Sequence, residues 1–220
     1  YGQNIVSTTN NTRRAEKMSL LGKTREDLEN FIRINIPESE IRSKEYNKMM
    51  KFLSKLLFFN KNFMTNYVTT WYPYIYVPKI PWKVHNDAPA IATLAHEWVH
   101  LHDRRRLGWI FNFLYMMPQC FFIFGLFAFW NLWFLLFFLF ILPIPSPGRA
   151  WAEFRGYRMT IAVYYWLSGQ KVDLKWIVDQ FVSSNYYFMW PFRGWLMKKF
   201  QKEFDKIKNN ELSPELQIIY

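Results

Sequence analysis

The segment from Leu107 to Gly148 limits the possible folds of this chain more than any other feature, because it contains no Asp, Glu, Lys, Arg or His. If this segment is helical, its large apolar side chains, many of them Phe, cover every face of the helix instead of one stripe. The core of a 220-residue protein is too small to surround such a segment on every side. We therefore expect a membrane, or else a partner protein, to cover part of the region 109–145.

The composition of the whole chain narrows the class of protein. Cys120 is the only cysteine, which excludes an internal disulfide and a cysteine-based zinc site. The net charge of +11 and the aromatic content of 21% indicate an anionic partner, either a membrane surface or a nucleic acid. A nucleic acid is the unlikely partner of the two, because the lysines are spread along helices and no recognised binding motif is present.

Helical periodicity dominates the rest of the sequence and makes the predicted fold class mostly α with a minor β part. The predicted helices cover 25–34, 38–59, 88–106, 149–167, 173–183 and 192–208. Residues 67–77 are aromatic and β-branched with prolines nearby, which predicts an edge strand. The sequence thus predicts four segments along the chain: a polar arm at 1–22, N-terminal helices and a strand at 23–106, the apolar segment at 107–148, and C-terminal helices at 149–220.

The sequence HEWVH at 96–100 fits the pattern H-E-x-x-H and lies within the predicted helix 88–106. Residues four apart share one face of a helix, so His96 and His100 can bind one metal ion. Glu97 lies beside them and can act as the general base toward a water molecule that zinc activates. The opposing interpretation is an exposed helix face that binds nothing, but three of the four histidines cluster here.

A catalytic zinc site needs a third protein ligand and one position left open for water. Glu153 is the first carboxylate after the uncharged segment and lies on the next predicted helix. Its alternative role is a surface ion pair with Arg149 or Arg158. Asp103, three residues after His100, can instead hydrogen-bond a ligand histidine and orient it.

HEWVH followed by the helix RAWAEFRGYR resembles the zinc-binding part of the gluzincin metallopeptidases, between Ala88 and Tyr157. The resemblance implies a zincin-like helical core, a Zn²⁺ cofactor and a peptide or protein substrate that pairs with the edge strand. It implies these site residues: His96, His100 and Glu153 as metal ligands, and Glu97 as the general base. The apolar segment departs from that family, in which soluble helices separate the two motifs. Small H-E-x-x-H proteins of this size are also common in bacteriophage genomes.

A peptidase also needs a group that stabilises the negative charge developing on the substrate carbonyl oxygen. Tyr157 is the first candidate, because it lies one turn after Glu153 on the same helix face. His85, which precedes the helix of the motif, is the weaker candidate.

If Glu153 joins the two histidines, both ends of the apolar segment lie close together. A single crossing of a bilayer would place them about 30 Å apart, so the sequence predicts a hairpin. Gly125 and Asn131 are the two possible turns. Arginines flank both ends, which favours one side of a membrane, the cytoplasmic side, for the metal site. Two short spans and a partly inserted hairpin both remain open.

The leading functional hypothesis is a zinc-dependent metallopeptidase that the hairpin attaches to a membrane or to a protein assembly. The alternative is a structural or membrane-inserting protein, for example a component of a virus particle, whose metal site is not catalytic. Either type of protein can form oligomers.

Overall fold

The computed structural model describes residues 24–57, 61–78 and 87–220. It is mostly helical with one small three-stranded sheet, as the sequence predicts. The predicted polar arm at 1–22 and the candidate His85 lie outside the described residues.

The described elements follow one another in this order: α1 Arg25–Asn35, β1 Glu40–Ser43, α2 Lys48–Leu56, β2 Thr69–Trp71, β3 Tyr74–Val77, α3 Ala88–Leu107, α4 Trp109–Met116, a first hairpin helix Gln119–Phe129, a second hairpin helix Leu132–Ile141, α5 Pro147–Ser168, α6 Leu174–Val182, a short 3₁₀ turn Ser184–Tyr186, α7 Arg193–Lys208 and α8 Pro214–Ile219.

Local sequence explains where the two N-terminal helices of the core begin. Thr24 caps α1: its hydroxyl accepts a hydrogen bond from the backbone N–H of Asp27, whose carboxylate accepts from the backbone N–H of Thr24. Asp87 caps α3 by accepting from the backbone N–H of Ala90, and Pro89 lies in the first turn, where its missing N–H costs no hydrogen bond. The helices predicted at these positions are confirmed.

The helix predicted over 38–59 is wrong in its first half. Residues Glu40–Ser43 form β1, which is parallel to β3 and places Ile41 opposite Ile75. Asn47 then caps α2 by accepting a hydrogen bond from the backbone N–H of Met50. The apolar residues of this region fit a helical period, but pairing with β3 satisfies the backbone of residues 40–43 in the sheet instead.

The strand order in the sheet is β1-β3-β2, with β2 antiparallel to β3. Only β2 of the predicted edge region 67–77 is therefore an edge strand, since β3 lies in the centre. Pro73 lies in the turn between β2 and β3, and Pro78 directly follows β3. Because neither proline lies within the hydrogen-bonded ladder, the strands can form in a region that is rich in proline.

The main core lies between α3 and α5, which pack against each other, and it includes buried side chains of α1, α6, α7 and α8. No residue of the uncharged segment 107–148 belongs to this core among the described residues. The segments before and after the hairpin therefore share one core, from which the hairpin projects.

The predicted hairpin is confirmed, and its turn lies at Asn131, whose side chain accepts a hydrogen bond from the backbone N–H of Trp133. The alternative turn at Gly125 is wrong, since this glycine is buried inside the first hairpin helix. A Cβ atom at Gly125 would lie 2.8 Å from the ring of Phe138, so a glycine permits the two helices to approach. Both hairpin helices are 3₁₀ helices.

Phenylalanine rings fill the contact between the two hairpin helices. Residues three apart lie in line on a 3₁₀ helix, so each helix presents one row of rings to the other. The facing pairs are Phe121–Phe140, Phe124–Phe137 and Phe127–Phe134, with ring centroids 5.5, 5.4 and 5.9 Å apart. These phenylalanine rings occupy one side of each hairpin helix, and the other sides are apolar and exposed.

Among the described residues, no single helix combines the length and hydropathy that a bilayer crossing needs. Helix α4 and the first hairpin helix together have the required length and hydropathy, but they are bent by 81° relative to each other.

The base of the hairpin provides a test of this packing. A Cβ atom on Gly148, in the first turn of α5, would collide with the backbone carbonyl of Leu114 on α4. Backbone cannot move aside as a side chain can, so we expect Gly148→Ala to lower the free energy of unfolding by about 1–3 kcal/mol. Thermal unfolding measures this loss.

Gly194→Ala is the matched control, because a Cβ atom there meets open space. This variant is expected to unfold at or slightly above the wild-type temperature, since alanine favours a helix. Equal unfolding temperatures for Gly148→Ala and the wild type would show that α4 and α5 are not packed this closely.

Candidate metal centre

Helix α3 brings two imidazoles together on one buried face. His96 and His100 are each 6% exposed, and their Nε2 atoms lie 3.0 Å apart. The four-residue spacing places both rings on the same side of the helix. The helix predicted from the sequence around this pattern thus presents the two histidines as a pair.

Glu153 of α5 completes the group. Its Oε2 atom lies 3.3 Å from Nε2 of His96, and its Oε1 atom lies 3.7 Å from Nε2 of His100. The carboxylate is 2% exposed, which is inconsistent with the surface ion pair considered as its alternative role. The guanidinium of Arg158, one of the two partners in that alternative, pairs with Glu203 and Glu215.

The three donor groups fit a single metal ion. Two ligands about 2.0–2.1 Å from a tetrahedral ion lie about 3.3 Å apart, close to the separations of 3.0, 3.3 and 3.7 Å found here. Glu153 Oε2 is buried and has no hydrogen-bond partner among the described residues. An unsatisfied buried carboxylate oxygen costs free energy, and a bound cation would remove that cost. His96, His100 and Glu153 can therefore hold a metal ion.

Gly156 and Thr160 of α5 position His96. A Cβ atom on Gly156 would lie 2.6 Å from Nε2 of His96, so a larger residue there would push the imidazole away. Thr160 donates its hydroxyl proton to the Gly156 carbonyl, and its oxygen lies 3.2 Å from Nδ1 of His96. That oxygen is then an acceptor for an Nδ1–H, which leaves the lone pair of Nε2 for a metal. The sequence analysis did not identify Thr160.

Tyr115 is the second residue that the sequence analysis missed. It lies on α4 within the uncharged segment, and its hydroxyl donates a 2.7 Å hydrogen bond to Oε1 of Glu153. Arg149 donates to the backbone carbonyl of Tyr115 at 3.2 Å, which helps to fix this part of α4. A signal was present, since Tyr115 is the only tyrosine between residues 107 and 148. The apolar insertion thus contributes directly to the candidate metal centre.

The charges of Glu153 and His100 stabilise each other. Burial alone would raise the pKa of the Glu153 carboxyl, but His100 and His96 hold that pKa far below its usual range. Burial alone would lower the pKa of His100, but the Glu153 carboxylate outweighs it and raises that pKa. The two groups therefore favour an ion pair, and a proton on His100 would compete with a metal ion for the same nitrogen.

Asp103 does not have the role predicted for it. Its two carboxylate oxygens accept hydrogen bonds of 2.8 and 2.9 Å from Arg155, and it lies 3.7 Å from His102. The hydrogen bonds of Asp103 thus go to Arg155 rather than to a ligand histidine. His102 itself points away from the metal centre and places its ring beside Trp98.

Glu97, the predicted general base, is buried and connected to the sheet. Its Oε2 atom accepts a 2.6 Å hydrogen bond from the hydroxyl of Thr70 on the edge strand β2. The buried ammonium of Lys44, which donates to the carbonyl of Phe63, is another nearby charge. Burial lowers the pKa of Lys44 to about 7, although Glu97 opposes this shift. The edge strand therefore lies directly beside the candidate base.

Tyr157 lies beside the metal centre, as its position one turn after Glu153 predicts. Its ring meets that of His96 edge to face, with centroids 4.7 Å apart. Its hydroxyl donates to the hydroxyl of Tyr186 at 3.5 Å, and Tyr186 is a further neighbour that the sequence analysis did not identify. Burial first, and then the Glu153 carboxylate, raises the pKa of Tyr157 well above its usual value. Its catalytic role stays a prediction.

No protein-family model, curated protein or solved structure matches this chain.

Removal of either kind of ligand tests the metal centre. We expect the wild-type chain to retain a single divalent ion through dialysis, and His100→Ala and Glu153→Ala to lose it, because two ligands hold an ion far more weakly than three. Elemental analysis of the purified proteins measures this. His102→Ala is the matched control on the same helix and is expected to keep the ion. Equal metal content in all four proteins would place the ion elsewhere.

The hydrogen bond from Tyr115 to Glu153 gives a second test. Partners that orient a metal ligand typically contribute about 10- to 100-fold to metal affinity, so Tyr115→Phe is expected to weaken metal binding by that factor. Competition with a chelator of known affinity measures the change. Tyr46→Phe, at a tyrosine that is 77% exposed on the surface, serves as the control. An unchanged affinity in Tyr115→Phe would mean that Glu153 holds its position without this hydrogen bond.

Proposed function

We propose that the chain is a zinc-dependent metallopeptidase whose catalytic centre comprises His96, His100, Glu153 and Glu97. The observation that carries this proposal is the position of Glu97. This residue of α3 lies next to the three-ligand group and is hydrogen-bonded to Thr70 on an edge strand. A metal site that served only to stabilise the fold would need neither a buried carboxylate beside it nor an adjoining strand edge.

Zinc is the proposed metal because of the donor set. Two imidazoles and one carboxylate are the protein ligands of several catalytic zinc sites, in which the fourth position is left for water or substrate. Mg²⁺ and Ca²⁺ prefer oxygen donors, so two nitrogen donors disfavour both. A zinc ion held by these three ligands would lower the pKa of a water molecule and would polarise the carbonyl of the bond to be cleaved.

The residues of the chain then supply the proton transfers. Glu97 accepts a proton from the attacking water and passes it to the amine nitrogen that leaves. The hydrogen bond from Thr70 occupies one oxygen of Glu97, which leaves the other oxygen for the proton. The raised pKa of Tyr157 keeps its hydroxyl protonated at neutral pH, as a donor to the developing oxyanion must be.

The edge strand β2 supports a peptide as the substrate. Within the described parts of the chain no strand pairs with the outer edge of β2, while its inner edge pairs with β3. An extended peptide can add to such an edge through backbone hydrogen bonds, which do not depend on its side chains. Because Thr70 of β2 contacts Glu97, a peptide paired there would pass close to the base.

The exposed hairpin favours a second candidate, a structural or membrane-inserting protein whose metal site only stabilises the fold. The two candidates differ in what Glu97 does. In the structural protein Glu97 has no chemical task, whereas in the peptidase it moves a proton in each turnover.

Glu97→Gln distinguishes the two. Glutamine still accepts the hydrogen bond from Thr70 but cannot take a proton, so we expect a loss of about 100- to 10,000-fold in peptide hydrolysis with the metal content unchanged. The assay follows cleavage of an unfolded protein substrate by mass spectrometry, beside elemental analysis. Glu211→Gln, at an exposed carboxylate, is the matched control and is expected to retain activity.

Full activity in Glu97→Gln would exclude this residue as the base. A metal-loaded wild type that cleaves no protein or peptide substrate, and that unfolds at a lower temperature when a chelator is added, would support the structural role instead.

A further inference from the structure

We propose that the hairpin, residues 119–141, inserts into one side of a lipid bilayer while α4 lies along the membrane surface. This inference concerns the partner of the hairpin and does not depend on hydrolysis. Where it bears on the substrate, it rests on the proposed peptidase function.

The hairpin is apolar on every side that it presents. Phe129 is 84% exposed at its tip, Leu132 is 76% exposed, and Leu126 and Leu136 are 61% and 53% exposed along its length. No charged residue occurs in the segment. A protein partner covers one face of such an element, whereas lipid surrounds it and leaves no apolar surface in water.

The backbone groups of the hairpin pair within its two 3₁₀ helices, as a hydrocarbon environment requires. The side chain of Asn131 accepts a hydrogen bond from the backbone N–H of Trp133 at the turn. The amide of Gln119 donates to the carbonyl of Ile144 at the other end. The side chains of Asn131 and Gln119 therefore have hydrogen-bond partners that do not involve water.

The dimensions of the hairpin fit partial insertion. Eleven and ten residues of 3₁₀ helix extend about 22 and 20 Å, whereas the hydrocarbon core of a bilayer is about 30 Å thick. The hairpin thus passes beyond one leaflet without reaching the far surface. Both of its ends connect to helices of one core, so its base stays on a single side.

The bend of 81° between α4 and the first hairpin helix orients the rest of the molecule. If the hairpin stands upright in the bilayer, α4 runs nearly parallel to the surface. The outer side of α4 is apolar and exposed at Trp109, Ile110, Phe113 and Met116. Its opposite side carries the buried Phe111 and the hydroxyl of Tyr115 that bonds Glu153. A helix with these two sides fits the interface between lipid and protein.

Aromatic residues border the base of the hairpin, and exposed basic residues lie on the helices that lead to and from this region. The hydroxyl of Tyr187 donates to the carbonyl of Ile141, and the backbone N–H of Ser146 donates to the carbonyl of Met189. The chain after residue 187 therefore borders the base, and it exposes Phe188, Phe192 and Trp195. Exposed cations lie in the last turn of α3 and on the first turns of α7: Arg105, Arg106, Lys198 and Arg193, the last of which pairs with Asp179. Aromatic rings prefer the membrane interface and cations attract anionic headgroups, so both match a lipid surface.

This orientation determines where the metal centre lies. Because Tyr115 belongs to α4 and bonds Glu153, the centre lies directly above the helix that contacts the headgroups. If the chain is a peptidase, its substrates then belong to one class, polypeptide segments at the membrane surface. A soluble substrate would gain nothing from this placement.

Flotation of the full-length protein with vesicles tests the insertion. We expect the wild type to float with vesicles of phosphatidylcholine and phosphatidylglycerol, and to bind vesicles of phosphatidylcholine alone more weakly. Leu126→Asp places a carboxylate on the lipid-facing side and is expected to reduce binding by about 100-fold. Leu56→Asp is the matched control, since Leu56 is 62% exposed on α2, and it should bind as the wild type does.

A fluorescent label measures the depth. In a Cys120→Ala background, Trp133→Cys carries an environment-sensitive dye near the hairpin tip, and Lys51→Cys carries it at an exposed position of α2. We expect the tip label to be quenched by lipid-attached quenchers and shielded from a water-soluble quencher on both sides of the vesicle. The label on α2 should be reached by the water-soluble quencher from outside.

Two outcomes would overturn the proposal. The first is a protein that stays in solution as a discrete oligomer and binds neither type of vesicle, which assigns the hairpin to a second copy of the chain. The second is quenching of the tip label from the vesicle lumen, which means a full crossing. Glu97→Gln is expected to float as the wild type does, so a failure of insertion and a failure of the peptidase function can be told apart.

Discussion

The close approach of α3 and α5 is the contact on which the rest of the structure depends. Gly156 lets the imidazole of His96 lie against the backbone of α5, where any side chain would displace it. That approach brings Glu153 within 3.3 Å of His96 and places Thr160 beside its Nδ1 atom. Two helices that are far apart in sequence thus form one candidate metal centre, because the missing side chain of Gly156 permits their close approach.

The two ends of the hairpin between these helices must lie close together at the surface of the core. Its ends are held together at the base, where Ser146 donates its hydroxyl hydrogen bond to the carbonyl of Met117 and Gly148 packs against Leu114. The apolar insertion can therefore project from the core without separating the metal ligands. Tyr115 also links the insertion to α5, because its hydroxyl donates a hydrogen bond directly to the candidate ligand Glu153.

Buried charges fix the outer side of α5 and the end of the chain. Arg155 pairs with Asp103 of α3, and Arg155 and Arg158 pair with Glu215 of α8. Leaving any of these groups buried and unpaired would cost several kcal/mol, roughly 3–5 for removal of one partner. The network therefore favours one arrangement of α3, α5 and α8, and it does so on the side of α5 away from the metal centre.

The sequence alone determined the features that depend on local spacing and on composition. The four-residue separation of His96 and His100 and the caps at Thr24 and Asp87 follow from neighbouring residues. The hairpin follows from the uncharged segment once Glu153 is taken as the third ligand. Tertiary structure decided the features that depend on which distant residues meet. Residues 40–43 form a strand because they pair with β3. Asp103 accepts hydrogen bonds from Arg155, and the hydroxyl of Tyr115 donates a hydrogen bond to Glu153. A hydrogen bond between residues 38 positions apart leaves no local pattern, because only packing of the whole chain brings them into contact.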